Sequence, residues 1–136
     1  MRSNFSLLFL LLVVAAGQAI ARAAEKSLDF NRDVRPILSE NCFACHGFDE
    51  KARKADLRLD DAESALADRD GAPAIVAGHP EKSEAWRRIM SADESEQMPP
   101  PDSHRQLKPE QQAVIKRWIE QGAPFAKHWS FIPPQK

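Results

Sequence analysis

The sequence predicts an all-α domain of about four short helices joined by long loops. Three observations carry this. Apolar residues recur at helical spacing in separate stretches, notably Phe30, Val34, Ile37 and Leu38, then Trp86, Ile89 and Met90, then Val114, Ile115, Trp118 and Ile119. Capping residues and prolines stand where helices begin, and glycines where they end. The rest reads as irregular loops, with little strand signal.

The elements follow in order. Asp33 serves as N-cap of a first helix reaching Asn41, with Pro36 in the first turn, where its missing N–H costs nothing. The polar stretch from Gly47 to Asp56 is a surface loop. Asp60 opens a short helix through Ala67 with Leu66 turned inward, and Gly71-Ala-Pro73 ends it. An apolar segment, Ala74 to Ala77, leads to Gly78-His79-Pro80, after which Ser83 caps a helix to about Met90. From Ser91 to Lys108 the chain is acidic and then proline-rich, without apolar periodicity. Connections this long in compact domains usually carry function or lack order. Pro109 starts the last helix and Gly122 stands just past its end.

At 136 residues the chain has room for one domain. Met1-Arg2, the apolar run Leu7 to Ala16 and the small residues around Ala19, Ala21 and Ala23 together read as a cleaved secretory signal over residues 1–24. The apolar run is too short for the roughly 20 residues a membrane span needs. Loss of Arg2 and Arg22 with that segment takes the formal net charge from −1 to −3. So mild a charge excludes nucleic acid as the expected partner, since a binding domain concentrates basic residues in a stripe. Residues 25–126 form the expected domain, and 127–136 a proline- and aromatic-rich tail or linker. Export to the periplasm or beyond, with no membrane span after cleavage, is the expected location.

A domain of this size benefits from a staple, and the two cysteines lie too close in sequence to close a useful disulfide loop. They belong instead to Cys42-Phe-Ala-Cys45-His46, the C-x-x-C-H pattern that attaches c-type haem. Cysteines three apart lie about one helical turn from each other, so both thiols reach the two vinyl groups of one porphyrin. His46 then falls beneath the ring as the proximal iron ligand. A short-loop disulfide gives no reason for the histidine. A thioredoxin-like pair needs strands, and a zinc site needs a second ligand pair. One covalent haem c supplies the staple.

For the sixth iron ligand the candidates are Met90, Met98, His79, His104 and His128. Met98 is favoured: it lies in Glu96-Gln-Met-Pro-Pro100, away from any apolar face, and the prolines stiffen the backbone that presents its sulfur. Met90 reads as core packing on the Trp86 face, His79 as the best histidine alternative though first a turn residue, and His104 and His128 as surface groups. Trp86 and Trp118 are expected to pack against each other or the porphyrin edge. Lys51, Arg53 and Lys54 could pair with haem propionates or guide a partner protein, and Asp93, Glu94 and Glu96 do the opposite, but each run reads first as a solvated loop.

Phe30 through Gly47, Leu57-Arg-Leu-Asp60, Pro80-Glu-Lys-Ser83, Gln97-Met-Pro-Pro100 and Trp118 through Ala123 together resemble the planctomycete-type cytochrome c domain over residues 28–126. The resemblance implies a class I cytochrome c-like fold, with haem on Cys42 and Cys45, His46 proximal and Met98 distal. It also implies that the domain commonly opens a larger exported protein, which makes the tail a candidate join to downstream domains. Lys54-Ala-Asp56 departs from the glycines usual in that family, in what reads as a loop remote from the haem contacts. The expected function is single-electron transfer by a carrier domain, not enzyme catalysis, with an unidentified redox partner. A haem-based ligand sensor with an open sixth position, or the electron-entry domain of a larger enzyme, are the alternatives.

Overall fold

A computed structural model describes residues 27–127 and Ser130. The expected signal segment, and the tail beyond Lys127 apart from Ser130, lie outside the described residues. Among them the fold is helical throughout, with no strand. Helix α1 spans Arg35–Asn41, α2 Ala62–Leu66, α3 Glu84–Ile89 and α4 Pro109–Glu120, with 3-10 turns at Pro80–Lys82 and Pro101–Ser103. No helix among the described residues is long and apolar enough to cross a membrane.

Entry to α1 begins earlier than Asp33. A π-turn over Phe30–Val34 runs directly into the helix, and its cap is Asp29, whose carboxylate accepts from the Arg32 N–H at 2.8 Å. Asp33 returns the favour by accepting from the Asp29 N–H at 2.8 Å, so two otherwise orphaned donors are satisfied reciprocally. Pro36 explains the wide turn. Its ring removes the donor for the Arg32 carbonyl and crowds it, and the Arg35 N–H bonds back to Phe30 instead. Phe30, Val34, Ile37 and Leu38 are buried, as their spacing predicts.

Helix α2 starts one residue later than expected, because Asp61, not Asp60, caps it by accepting from the Ser64 N–H at 3.0 Å. One residue rotates a helix by about 100°, so the inward position falls on Ala65, which is fully buried, while Leu66 is 40% exposed. A small residue is required there because the Ile75 N–H donates to the Ala65 carbonyl at 3.0 Å, bringing the Ala74–Ile75 segment against the helix.

Ser83 stands at the N-cap of α3, but its hydroxyl turns away from the helix. It accepts from the Val76 N–H at 2.8 Å and donates to the His79 carbonyl at 2.9 Å, buried at the centre of that bend. Met90, expected in the core, is 55% exposed, since α3 ends at Ile89 and the chain turns there.

Helix α4 is the spine of the core. Pro109 begins it, and Gln111 accepts from the Lys108 N–H at 2.9 Å. At its end the Ala123 N–H bonds to Trp118 at 2.9 Å and the Gly122 N–H to Ile119 at 3.0 Å. This Schellman arrangement needs left-handed backbone at Gly122, which has φ +94°. Ile115, Trp118 and Ile119 are buried against the Phe30–Val34 turn. Trp118 lies 5.6 Å from Phe30 and 5.0 Å from Phe125 between ring centroids, and its Nε1–H donates to the Pro124 carbonyl at 3.1 Å. The expected packing of Trp118 on Trp86 or a porphyrin edge therefore gives way to an aromatic cluster with Phe30 and Phe125.

Candidate functional site

Helix α1 delivers Cys42 at its C-terminus, and the chain makes one more turn before leaving. The Cys45 and His46 N–H groups both donate to the Cys42 carbonyl, at 3.1 and 2.8 Å, so the two thiols and the imidazole share one helical turn. Both cysteines are free and half-buried. Gly47 follows because any side chain there would strike the Phe43 carbonyl. Burial first, then the neighbouring Cys45, pushes the Cys42 thiol up to about 12, against a smaller opposing effect of Arg105. A thioredoxin-type pair has a depressed thiol instead.

The His46 ring is oriented by one bond: Nδ1 lies 3.2 Å from the Lys54 carbonyl. A carbonyl only accepts, so Nδ1 carries the hydrogen and Nε2 keeps its lone pair. Burial lowers the imidazole below its ordinary value, with the Lys54 bond raising it and the Arg69 charge lowering it further. The ring is thus held neutral, the form that ligates metal. The Lys54 N–H in turn donates to the Cys45 carbonyl at 2.7 Å. The Lys54-Ala-Asp56 segment, expected to be remote from the site, is part of it.

Met98 comes from the long loop after α3. Its N–H donates to the Arg88 carbonyl at 3.1 Å, and its bond to Pro99 is cis. Upstream, Glu96 pairs with Arg87 at 2.6 Å, and Glu84 holds Arg87 at 2.7 Å and Arg88 at 2.8 Å. Those hydrogen bonds, Arg87's first, lower Glu84 to about 2 against the opposing effect of its burial.

These pieces meet in one cavity of 660 Å³, whose wall includes Cys42, Cys45, His46 and Met98. That volume falls within the range of about 300–1,000 Å³ typical of cofactor sites. Of the described candidates for a distal ligand, Met98 alone lines it. His79 is exposed and bonded to Glu81 at 2.9 Å, and Met90 and His104 are exposed. His128 lies outside the described residues. The wall is mainly apolar, and its alanines, Ala55, Ala72, Ala74 and Ala85, are small enough to leave room beside Leu57 and Leu59. Two thiols, a neutral imidazole and a thioether around an apolar cavity fit a haem, whose iron takes nitrogen and sulfur donors.

Sequence reasoning missed the polar members of the wall: Asn41, Arg69, Glu84, Arg88, Asp102 and Arg105. Lys54 was foreseen as one of a charged run that could pair with propionates, not as the residue whose backbone carbonyl meets His46. Arg53 of that run is spent locally, donating to the Gly47 and Phe48 carbonyls at 3.1 and 3.0 Å. No periodicity marks such residues, because charged groups that face a cavity look like charged groups that face water.

No curated protein and no solved structure matches the chain. Residues 42–102, from the first cysteine of the motif through the loop that carries Met98, match the family model described as planctomycete cytochrome C. The Cys42–His46 turn, Met98 and most of the cavity wall fall inside that match, with Asn41, Ser103 and Arg105 just outside it, and over this stretch the chain is similar to planctomycete cytochrome C.

Proposed function

We propose that the chain is an exported c-type cytochrome domain of class I type, which holds one haem c and carries single electrons. The observation that bears most weight is the convergence of Cys42, Cys45, His46 and Met98 on one apolar cavity. Cys42 and Cys45 hold the group as thioethers: each thiol adds across a vinyl, sulfur bonding one carbon and the thiol hydrogen ending on the other. His46 offers Nε2 as proximal ligand, and Met98 offers its sulfur as distal ligand. When bound, the haem supplies one iron that takes an electron from a donor protein as ferric and returns it to an acceptor as ferrous. The apolar wall excludes water, and the protein sets the potential through its axial ligands and the degree of burial. Export rests on the signal-like residues 1–24.

The test is an absorption spectrum of the exported protein, oxidised and reduced, before and after acid–organic extraction. Colour that stays with the polypeptide, with a six-coordinate, sulfur-ligated ferric spectrum, is the expected result. Colour that is extracted, or never present, refutes the reading.

A further inference from the structure

Two consecutive residues other than glycine hold left-handed backbone, Ala55 at φ +53° and Asp56 at φ +48°. That region brings Cβ against the following carbonyl and persists only where the surroundings enforce it. The pair directly follows Lys54, whose carbonyl takes the His46 Nδ1 hydrogen. The Leu57 N–H closes the turn over the pair by donating to the Lys54 carbonyl at 3.1 Å, and Arg69 clamps the turn from outside. Its Nη1 donates to the Ala55 carbonyl at 3.1 Å and its Nη2 to the Asp56 carbonyl at 3.0 Å. Nη2 also reaches the Ser64 hydroxyl at 3.1 Å, which fixes the guanidinium from the α2 side. The remaining nitrogen, Nε, is buried without a hydrogen-bond partner. The guanidinium is therefore committed to these two carbonyls even at the cost of an unsatisfied donor.

We propose that Arg69 is a positioning residue for His46, clamping the left-handed Ala55–Asp56 pair and so fixing the Lys54 carbonyl that orients the imidazole. The inference rests on reading His46 as the proximal ligand. The bond to the ring's other nitrogen sets ligand orientation and basicity, and through them the reduction potential. Lysine cannot replace the arginine here: it brings the same charge on a single nitrogen and has no planar fork to span two carbonyls.

The test compares Arg69→Lys in the native chain and in a chain carrying Ala55→Gly and Asp56→Gly. Glycine adopts positive φ without the Cβ penalty, so the clamp becomes dispensable there. Two readouts are taken on the full chain: the midpoint potential, and the ¹⁵N shifts of the His46 ring, which report its tautomer with or without haem. Arg69→Lys is expected to shift the potential and mix the tautomers in the native background, and to add no further change in the glycine background. Equal effects in both backgrounds, or none in the native one, overturn the proposal. If Arg69→Lys alone does not fold, recovery by the glycine pair supports the clamp and failure to recover overturns it. Failure of the haem reading shows separately, as pigment extracted from the native protein, and the ring nitrogens still decide the role of Arg69.

Discussion

The Met98 N–H donates to the Arg88 carbonyl at 3.1 Å, which ties the methionine loop to the C-terminal end of α3. Arg88 lines the same cavity as Met98, so one residue anchors the loop by its backbone and contributes to the wall by its side chain. A loop without apolar periodicity thereby gains a fixed position.

Met98→Ala should leave the pigment bound to Cys42 and Cys45 yet lower the midpoint potential and open the iron to added ligands, because thioether ligation favours the reduced state. Redox titration and absorption spectra with added imidazole measure both effects. An unchanged spectrum and potential would remove Met98 from the site.

Glu96→Ala removes the 2.6 Å pair with Arg87 that holds the loop two residues before Met98. Both partners are largely exposed, so the stability change should be about 1 kcal/mol or less. If that energy restrains the loop, imidazole should displace Met98 up to about fivefold more readily. An imidazole titration matching the native protein would show that the pair does not restrain the loop.

Acid should loosen the same region. Glu84 is lowered from an ordinary 4.5 to about 2 by Arg87 and Arg88. Its folded-state value lies below the unfolded one, so its contribution is complete above 4.5 and is lost as pH falls from there toward 2. Urea denaturation across that window should show a shallower acid limb for Glu84→Gln than for the native chain. Parallel limbs would mean that Glu84 contributes nothing to the acid response.

Trp118 is 1% exposed and packed between Phe30 and Phe125. Trp118→Ala should cost about 3–5 kcal/mol, the range for emptying a buried aromatic site. Since Trp118 does not line the cavity, protein that still folds should keep native spectra and potential. Equilibrium denaturation and a redox titration separate the two effects.

Much of this protein could be read along the chain. Local chemistry sets helix ends, so Pro109, Gly122 and the 3.6-residue stripe on α4 foretold that helix and its buried face. That Cys42, Cys45 and His46 share one turn was legible from their spacing. Met98 stood out as a methionine with no apolar face of its own. What the tertiary structure alone decided was which distant groups meet. A one-residue shift of the cap from Asp60 to Asp61 exchanged Leu66 for Ala65 at the inward position, a choice made by the approach of Ile75. Trp118 found Phe30 and Phe125 instead of Trp86, because those two rings close over α4. Arg69 reaches back 13 and 14 residues to two carbonyls, and backbone acceptors carry no signature of residue type. Sequence determines what short-range spacing and intrinsic propensity can express; contacts across loops depend on how the helices pack, which no local pattern encodes.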